Sequence, residues 1–295
     1  MSRIALGLMR IGEMSVEEVE GLINHALDTG VKIFDLADIY GDGASEELLG
    51  KVLKKNPALR EKMYIQSKCG ICKDTIGYDL SCDNIIYRVK ASLTRLGISY
   101  LDCLFLHRPD VFMDNEEVAK AINYLLDNKF IKEFAVSNFS SSEIKYLQKK
   151  LPCPIKFNQI QLGIGNTSVI DQVFNVGLSS KFISKEADDL FFFLKEENIA
   201  IQCWSPFLVG FFEGSIFDKE KYPKISNALE HFAVKYNTSL AAIAVSFLLR
   251  ITPSLMVVIG STNFNHMDQA LEGEKITLSR QDWYSLYSEA GHFLP

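Results

Sequence analysis

The stretch VKIFDLADIYG, residues 31–41, places polar groups directly after a buried strand. Its first part, Val31 to Leu36, is the mostly apolar run expected of a strand that is covered on both faces. Asp35 lies at the end of this run, and Tyr40 follows shortly after it. In a parallel barrel every strand ends on one face, where catalytic groups are usually found. The stretch therefore predicts a barrel strand with a candidate catalytic site at its end.

Two further polar residues occupy the same kind of position. Lys68 and His107 each close an apolar, strand-like run. Strands that are far apart along the chain still end at the same face of a parallel barrel. We therefore expect Lys68 and His107 to converge with Asp35 and Tyr40 into one acid–base site.

Strand-like and helix-like segments alternate along the whole chain. The eight predicted strands are Ile4–Leu8, Val31–Leu36, Met63–Lys68, Leu101–His107, Ile131–Ser137, Lys156–Gln161, Ala200–Trp204 and Met256–Ile259. Capping-box patterns predict helix starts at Ser15 with Glu18, Asp114 with Glu117, and Ser140 with Glu143. The alternation fits a closed barrel or an open doubly wound sheet, but no GxGxxG turn follows a strand, which favours the barrel. We expect an α/β protein with a (β/α)8 TIM barrel, as a single domain over residues 1–295.

Composition limits the partners that we expect. The chain has a formal net charge of -6 with basic and acidic residues interspersed, which argues against nucleic acid or an anionic membrane surface as a partner. No apolar run approaches the roughly 20 residues that a membrane-spanning helix needs. We therefore expect a cytoplasmic protein that is a monomer or a small homo-oligomer. Two long connections, Gly163–Glu186 and Pro206–Ile225, are candidate lids over the site.

The cysteines predict neither a disulfide framework nor a metal site. Cys69 and Cys72 form a CGIC motif, but no second pair follows it and the five histidines are isolated, so a zinc site lacks ligands. In a protein of this size we expect reduced packing thiols. The alternative is a thiol switch, because the motif directly follows Lys68.

The four polar residues together suit the reduction of a carbonyl group. A tyrosine hydroxyl titrates near pH 10, and it donates its proton readily only if its phenolate is stabilised. Lys68 could provide that stabilisation, Asp35 could keep Lys68 charged, and His107 could bind the substrate oxygen or relay a proton. The alternative is that all four have structural roles only. Asp35 would then cap a loop and Tyr40 would pack against its neighbours. Lys68 would be a solvated strand end, and His107 a buried imidazole with its hydrogen bonds satisfied.

Ordered motifs along the chain resemble those of the aldo-keto reductases. They are FDLADIYG at 34–41, QSKCG at 66–70, LFLHRPD at 104–110, AVSNF at 135–139, NQIQ at 158–161, QCWSP at 202–206 and VIGST at 258–262. The resemblance spans essentially the whole chain. Within the family, ADIYG, HRPD and the C-terminal pattern WYxLYxxAGxxLP are most similar to the bacterial YdhF-like oxidoreductase branch.

This resemblance implies an activity and a set of site residues. Tyr40 would be the general acid, supported by Asp35, Lys68 and His107, in an NADPH-dependent reduction of small aldehydes or ketones. The positions that match cofactor contacts are Ser137, Asn138 and Gln159 for the carboxamide, Trp204 for stacking on the nicotinamide, and Ser205, Ser261, Thr262 and His266.

The chain departs from the family pattern at the expected 2′-phosphate contacts. Many members carry lysine and arginine where this chain has Gly260 and His266. A phosphate could instead bind at a helix N-terminus that begins near Asn263, with His266 adding charge when protonated. NADH is therefore a possible cofactor beside NADPH, and His266 could equally be an ordinary surface residue. An alternative function is an NADPH-binding regulatory or redox-sensing protein with the same fold and little turnover.

Overall fold

The strands of the fold follow the predicted apolar runs. A computed structural model describes residues 2–73, 75, 77–174, 189–211 and 213–295. Its strands are β1 Ile4–Gly7, β2 Ile33–Asp35, β3 Tyr64–Cys69, β4 Ile71–Cys72, β5 Gly77–Tyr78, β6 Leu101–Leu106, β7 Ile131–Ser137, β8 Ile155–Gln161, β9 Ala200–Trp204 and β10 Met256–Ile259. Eight of them close into a barrel in the order β1-β10-β9-β8-β7-β6-β3-β2, while β4 and β5 form a small antiparallel pair.

Helices separate most of the barrel strands. They are α1 Val16–Asp28, α2 Ala44–Lys55, α3 Cys82–Leu96, α4 Asn115–Asp127, α5 Ser141–Gln148, α6 Ser168–Phe174, α7 Leu190–Glu196, α8 Pro223–Tyr236, α9 Leu240–Leu249, α10 Phe264–Glu272 and α11 Arg280–Glu289. Parallel strands with intervening helices are the (β/α)8 arrangement, so the predicted fold class is confirmed.

Two of the three predicted capping boxes are confirmed. Ser15 and Ser140 each accept a hydrogen bond from the helix backbone, and the matching glutamate closes the box. The box at Asp114 is wrong in one part. Asp114 does cap α4, but the carboxylate of Glu117 accepts a hydrogen bond from the backbone amide of Cys82, 3.2 Å away. Cys82 begins α3, where backbone amides lack partners within the helix, so Glu117 satisfies the neighbouring helix instead.

The structure consists of two compact units, one of Met1–Gln159 with Gly260–Thr262 and the other of Ile160–Ile259 with Asn263–Pro295. In the first unit, β2 pairs with β3 so that Asp35 lies opposite Gln66, and β3 pairs with β6 so that Lys68 lies opposite Phe105. In the second unit, every residue of α9 from Ala241 to Leu249 is buried. The prediction of one domain over residues 1–295 stays a prediction.

Several features predicted for the loops and for a membrane can be stated for the described residues. No single helix among the described residues is long and apolar enough to cross a bilayer. The pair α8 and α9, which is bent by 91°, reaches that length and apolar composition only when the two helices are taken together. All six cysteines are free thiols, and five of them are buried. Residues 175–186 of the first predicted lid and residue 212 of the second lie outside the described part of the chain.

Candidate active site

A buried ion pair between Lys68 and Asp35 forms the centre of the site. The ammonium Nζ lies 2.8 and 2.7 Å from the two carboxylate oxygens, and it also donates to the backbone carbonyl of Leu36 at 2.9 Å. Both side chains are nearly inaccessible to water. Burial is the largest single influence and by itself would lower the pKa of Lys68, but the charges and hydrogen bonds of Asp35 and Tyr40 together raise that pKa above its ordinary value. Lys68 is therefore a buried, fully charged cation.

Tyr40 is held against this pair by a tight turn. After β2, a 3₁₀ turn over Tyr40–Gly43 runs through left-handed backbone at Gly41 and Gly43, with φ of 56° and 95°, where a side chain would be strained. The amide of Asp38 donates to the carbonyl of Lys68 at 3.0 Å, which fastens the turn to β3. As a result Lys68 Nζ lies 3.1 Å from the Tyr40 hydroxyl oxygen and 5.0 Å from the centre of its ring.

The electrostatics of Tyr40 favour a protonated phenol at rest. Burial raises its pKa above the ordinary value, Lys68 acts to lower it, and Asp35 raises it. The hydroxyl therefore keeps its proton at neutral pH, and the ammonium lies in position to stabilise the phenolate once that proton has left.

His107 lies beside Tyr40. It follows β6 directly, and its backbone amide donates to the carbonyl of Cys69 at 2.9 Å. The two rings are 6.0 Å apart between centroids and nearly perpendicular. Burial lowers the pKa of His107 well below its usual value, with Lys68 and Arg108 adding to the effect, so the imidazole is neutral. Its buried Nδ1 has no hydrogen-bond partner among the described residues, which leaves a polar atom available to a ligand.

The three predicted carboxamide contacts also lie together in the first unit. Ser137 donates to the carbonyl of Gln159 at 2.8 Å, and the side-chain amide of Asn138 donates to the Ser137 hydroxyl at 2.8 Å and to the carbonyl of His107 at 3.2 Å. Gln159 in turn donates from Nε2 to Asp35 Oδ1 at 2.9 Å. These residues are thus linked to the ion pair by hydrogen bonds, and their contacts with a cofactor remain predictions.

The remaining predicted positions follow β9 and β10. In the second unit, Trp204 ends β9 with its ring perpendicular to that of Phe211, and Ser205 follows in left-handed backbone at φ 49°. Asn263 caps α10 by accepting a hydrogen bond from the amide of His266, so the predicted helix start is confirmed. His266 is exposed on this helix. In the first unit, Ser261 and Thr262 follow β10, half-buried and exposed respectively.

Two residues of interest escape the sequence reasoning. Gln66 donates from Nε2 to Asp35 Oδ1 at 2.6 Å. The signal for it is the alternation of side chains along a strand, which puts Gln66 on the same face as Lys68. The guanidinium of Arg10 lies 3.5 Å from the carbonyl of Gly260. A cation therefore lies beside the position at which, by the family resemblance, many members carry a lysine for the 2′-phosphate. Nothing in the sequence relates Arg10 to Gly260, because they are far apart along the chain.

Comparison with known proteins identifies a family for this chain. The family model described as "Aldo/keto reductase family" matches residues 3–288. A 6-dehydroglucose reductase of Agrobacterium fabrum is 32% identical over 98% of this chain and 94% of that protein. Oxidoreductase YdhF of Escherichia coli is 30% identical over 100% of this chain and 95% of its own length.

Two further matches bear on the fold and on the alternative function. The structure of an aldo/keto reductase from Klebsiella pneumoniae in complex with NADP and acetate superposes with a TM-score of 0.79, at 18% identity, covering 99% of this chain and 92% of that one. A probable voltage-gated potassium channel subunit beta of Arabidopsis thaliana is 32% identical over 45% of this chain and 40% of that protein. A whole-length family match, two relatives at 30% identity or above and the same barrel together decide the assignment: this chain belongs to the aldo/keto reductase family.

Proposed function

We propose that the protein reduces aldehydes or ketones to alcohols with NADPH, with Tyr40 as the general acid. The observation that carries this proposal is the position of Lys68 Nζ, which contacts both Asp35 and the Tyr40 hydroxyl. When bound, NADPH supplies the hydride that adds to the carbonyl carbon. Tyr40 donates its phenolic proton to the carbonyl oxygen, and Lys68 stabilises the phenolate that remains. The neutral imidazole of His107 orients the same oxygen through a hydrogen bond.

The residues around the site fit a bound nicotinamide cofactor. The buried Nδ1 of His107, which has no hydrogen-bond partner among the described residues, is available to the substrate oxygen, and the amides of Asn138 and Gln159 are polar groups of the kind that orient a planar carboxamide. An indole such as Trp204 offers a broad face for stacking on the nicotinamide. A Cβ built on Gly260 would meet no atom within 4 Å, so the position next to Gly260 is open, and we assign the adenosine end to this loop. The Klebsiella structure, which is in complex with NADP, supports the same choice, with NADH as a possible second cofactor.

The substrate class that we favour is a small polyhydroxylated aldehyde. The Agrobacterium relative is a 6-dehydroglucose reductase, and it matches nearly the full length of this chain. The first panel of substrates should therefore set 6-dehydroglucose beside an aromatic aldehyde and a small ketone. If kcat/KM for the sugar aldehyde were lower than kcat/KM for the aromatic aldehyde and for the ketone, this choice of substrate class would be wrong. The proposed role of Tyr40 would be unaffected.

The test of the chemistry is the replacement Tyr40→Phe. Loss of the general acid should lower kcat by about 10²–10⁴-fold, since proton transfer in the transition state contributes on that order. Cofactor affinity, followed by quenching of tryptophan fluorescence, should stay within about twofold because the phenol is not predicted to hold the cofactor. A variant that turned over at the wild-type rate would show that another group donates the proton.

A second function is a cofactor-binding regulatory protein, and the partial match to a channel β subunit is what favours it. The two functions differ in turnover and not in binding. NADPH binding without oxidation across the whole carbonyl panel would favour the regulatory protein. The complete Asp35, Tyr40, Lys68 and His107 set supports the enzyme. A cytoplasmic location and a monomeric or small homo-oligomeric state remain our predictions for either.

A further inference from the structure

The carboxylate of Asp35 receives more hydrogen bonds than the ion pair alone requires. Its Oδ1 accepts from Lys68 at 2.8 Å, from Gln159 at 2.9 Å and from Gln66 at 2.6 Å, while Oδ2 accepts from Lys68 at 2.7 Å. Two neutral amides thus share an oxygen with the ammonium. The shortest of these contacts comes from Gln66, which the catalytic assignment above does not use.

The architecture of β3 fixes Gln66 in this position. Gln66 pairs with Asp35 in the parallel register of β2 and β3, and its carbonyl accepts a hydrogen bond from the amide of Leu36 at 2.9 Å. Side chains alternate along a strand, so Gln66 and Lys68 project to one face and Ser67 to the other. Ser67 accordingly bonds to Glu46 of α2 at 2.6 Å. Gln66 is completely inaccessible to water, so its amide cannot donate a hydrogen bond to solvent.

The charge on Asp35 has two opposite effects on Tyr40. It holds Lys68 in its charged state, which the phenolate needs, but it also raises the pKa of Tyr40 directly. Amide donors compensate part of a carboxylate's negative charge without adding a positive one. A donor on Asp35 therefore weakens the repulsion that a phenolate would feel, while the Lys68 contacts are kept.

We propose that Gln66 is a positioning residue that acts through Asp35: its amide orients the carboxylate toward Lys68 and compensates part of its charge, so that Tyr40 is a stronger acid. This inference rests on the proposed function, because the consequence is a faster proton transfer from Tyr40. We assign Gln66 no direct contact with substrate or cofactor.

The test is Gln66→Met, which keeps the length of the side chain and removes the donor. We expect kcat for aldehyde reduction to fall about tenfold, the loss that one charge-assisted hydrogen bond implies, with KM and the Kd for NADPH within about twofold. Because Tyr40 becomes a weaker acid, the alkaline limb of the kcat profile should move to higher pH. A merely structural defect would lower the rate and leave that limb in place.

Two further variants sharpen the result. Ser67 is the next residue of β3, on the opposite face, and Ser67→Ala removes its buried hydrogen bond to the Glu46 carboxylate. This variant should lower the free energy of unfolding without moving the alkaline limb of the kcat profile. In Gln66→Glu the introduced carboxyl group can donate to Asp35 only while it is protonated. Its kcat relative to the wild type should therefore fall as pH rises through the titration of that group, whereas the Gln66→Met ratio should show no such fall.

The outcomes separate this inference from the proposed function. If the wild-type protein turned over no carbonyl substrate, or if Tyr40→Phe were fully active, the proposed function would fail first. If the wild type is active, Tyr40→Phe is not, and Gln66→Met keeps both the wild-type kcat and the wild-type limb, the role of Gln66 is refuted. A folded Gln66→Met protein with reduced kcat and an unmoved limb would also refute it.

Discussion

At the scale of single residues, two buried charges in the first unit differ in how they are compensated. The ammonium of Lys68 is surrounded by acceptors. Neither oxygen of the buried Asp38 carboxylate has a hydrogen-bond partner among the described residues, and Nη1 of Arg88 lies 3.9 Å from its Oδ2. Burial, with Glu46 adding to it, raises the pKa of Asp38 to about 7, against the influence of Arg88 and Arg95. Asp38 therefore costs stability whenever it is ionised.

This difference predicts a pH-dependent effect of Asp38→Asn. The folded protein binds the Asp38 proton more tightly than the unfolded chain, so stability falls as pH rises from about 4, the ordinary value of an aspartate, to about 7. The variant should lose this slope and gain about 2–4 kcal/mol in unfolding free energy at pH 8, with little gain at pH 4. Urea unfolding at both pH values measures it. Asp42→Asn, an exposed carboxylate of the same loop, is the control, and an equal gain there would contradict the explanation.

Arg10 supports a prediction about cofactor choice. Its guanidinium lies beside Gly260, at the loop where the sequence lacks the family's lysine. If this cation contacts the 2′-phosphate, Arg10→Ala should raise the Kd for NADPH about 3- to 10-fold, in the range of a single exposed or partly buried charge contact. The Kd for NADH should be unchanged, since NADH carries no 2′-phosphate. Parallel fluorescence titrations provide the measurement, and equal weakening of both would assign Arg10 to the shared part of the cofactor.

The four catalytic candidates could be predicted from the sequence because each lies at or just after a strand end, where position along the chain implies position in space. Gln66 and Arg10 could not. Strand alternation puts Gln66 on the face of Lys68, but its contact with Asp35 depends on the register between β2 and β3, and register is not visible in one strand. Arg10 meets Gly260 across 250 positions of sequence.

At the scale of elements, the strands were more predictable than the helices. The predicted strands 131–137, 200–204 and 256–259 match β7, β9 and β10 at both ends. The sequence reasoning missed α8, which starts at Pro223 and has no side-chain cap at Tyr222. The apolar spacing of Ile225, Leu229 and Phe232 in that helix was the available signal.

The packing of α2 on α3 supports a prediction about Gly50. A Cβ at this position would overlap the backbone carbonyl of Arg95 at the end of α3. Alanine normally favours a helix over glycine by about 1 kcal/mol, but here the two helices would have to move apart. Gly50→Ala should therefore lower the free energy of unfolding by about 1–3 kcal/mol in a urea titration.

The matched control for Gly50 is Gly77→Ala. A Cβ on Gly77 meets no atom within 4 Å, and this residue lies on the exposed β5. It should leave the unfolding midpoint nearly unchanged. A Gly50→Ala protein as stable as the wild type would mean that α2 and α3 can separate without loss of packing.

At the scale of the whole molecule, alternation of strands and helices limited the fold to a closed barrel or an open doubly wound sheet, and the absence of a GxGxxG turn favoured the barrel, while the charge and composition gave no information on the substrate. The reason is physical. Eight parallel strands leave few ways to cover both faces, whereas the pocket is shaped by loop conformations that composition does not determine. The residues proposed to contact a cofactor are predicted from motifs alone, and cofactor binding to the folded chain is the property that tests them together.

Cofactor binding should stabilise the entire fold, because a ligand that binds only the native state shifts the unfolding equilibrium. At a concentration of 100 times its Kd, NADPH should add about 2.7 kcal/mol to the unfolding free energy. Tyr40→Phe should gain the same amount, since the variant loses a proton donor and keeps the predicted cofactor contacts. NADH at the same absolute concentration should stabilise less if the 2′-phosphate is recognised. Thermal unfolding with each cofactor measures this difference. Equal increases in Tm would contradict recognition of the 2′-phosphate, and no increase with either cofactor would contradict the proposal that the protein binds a nicotinamide hydride donor.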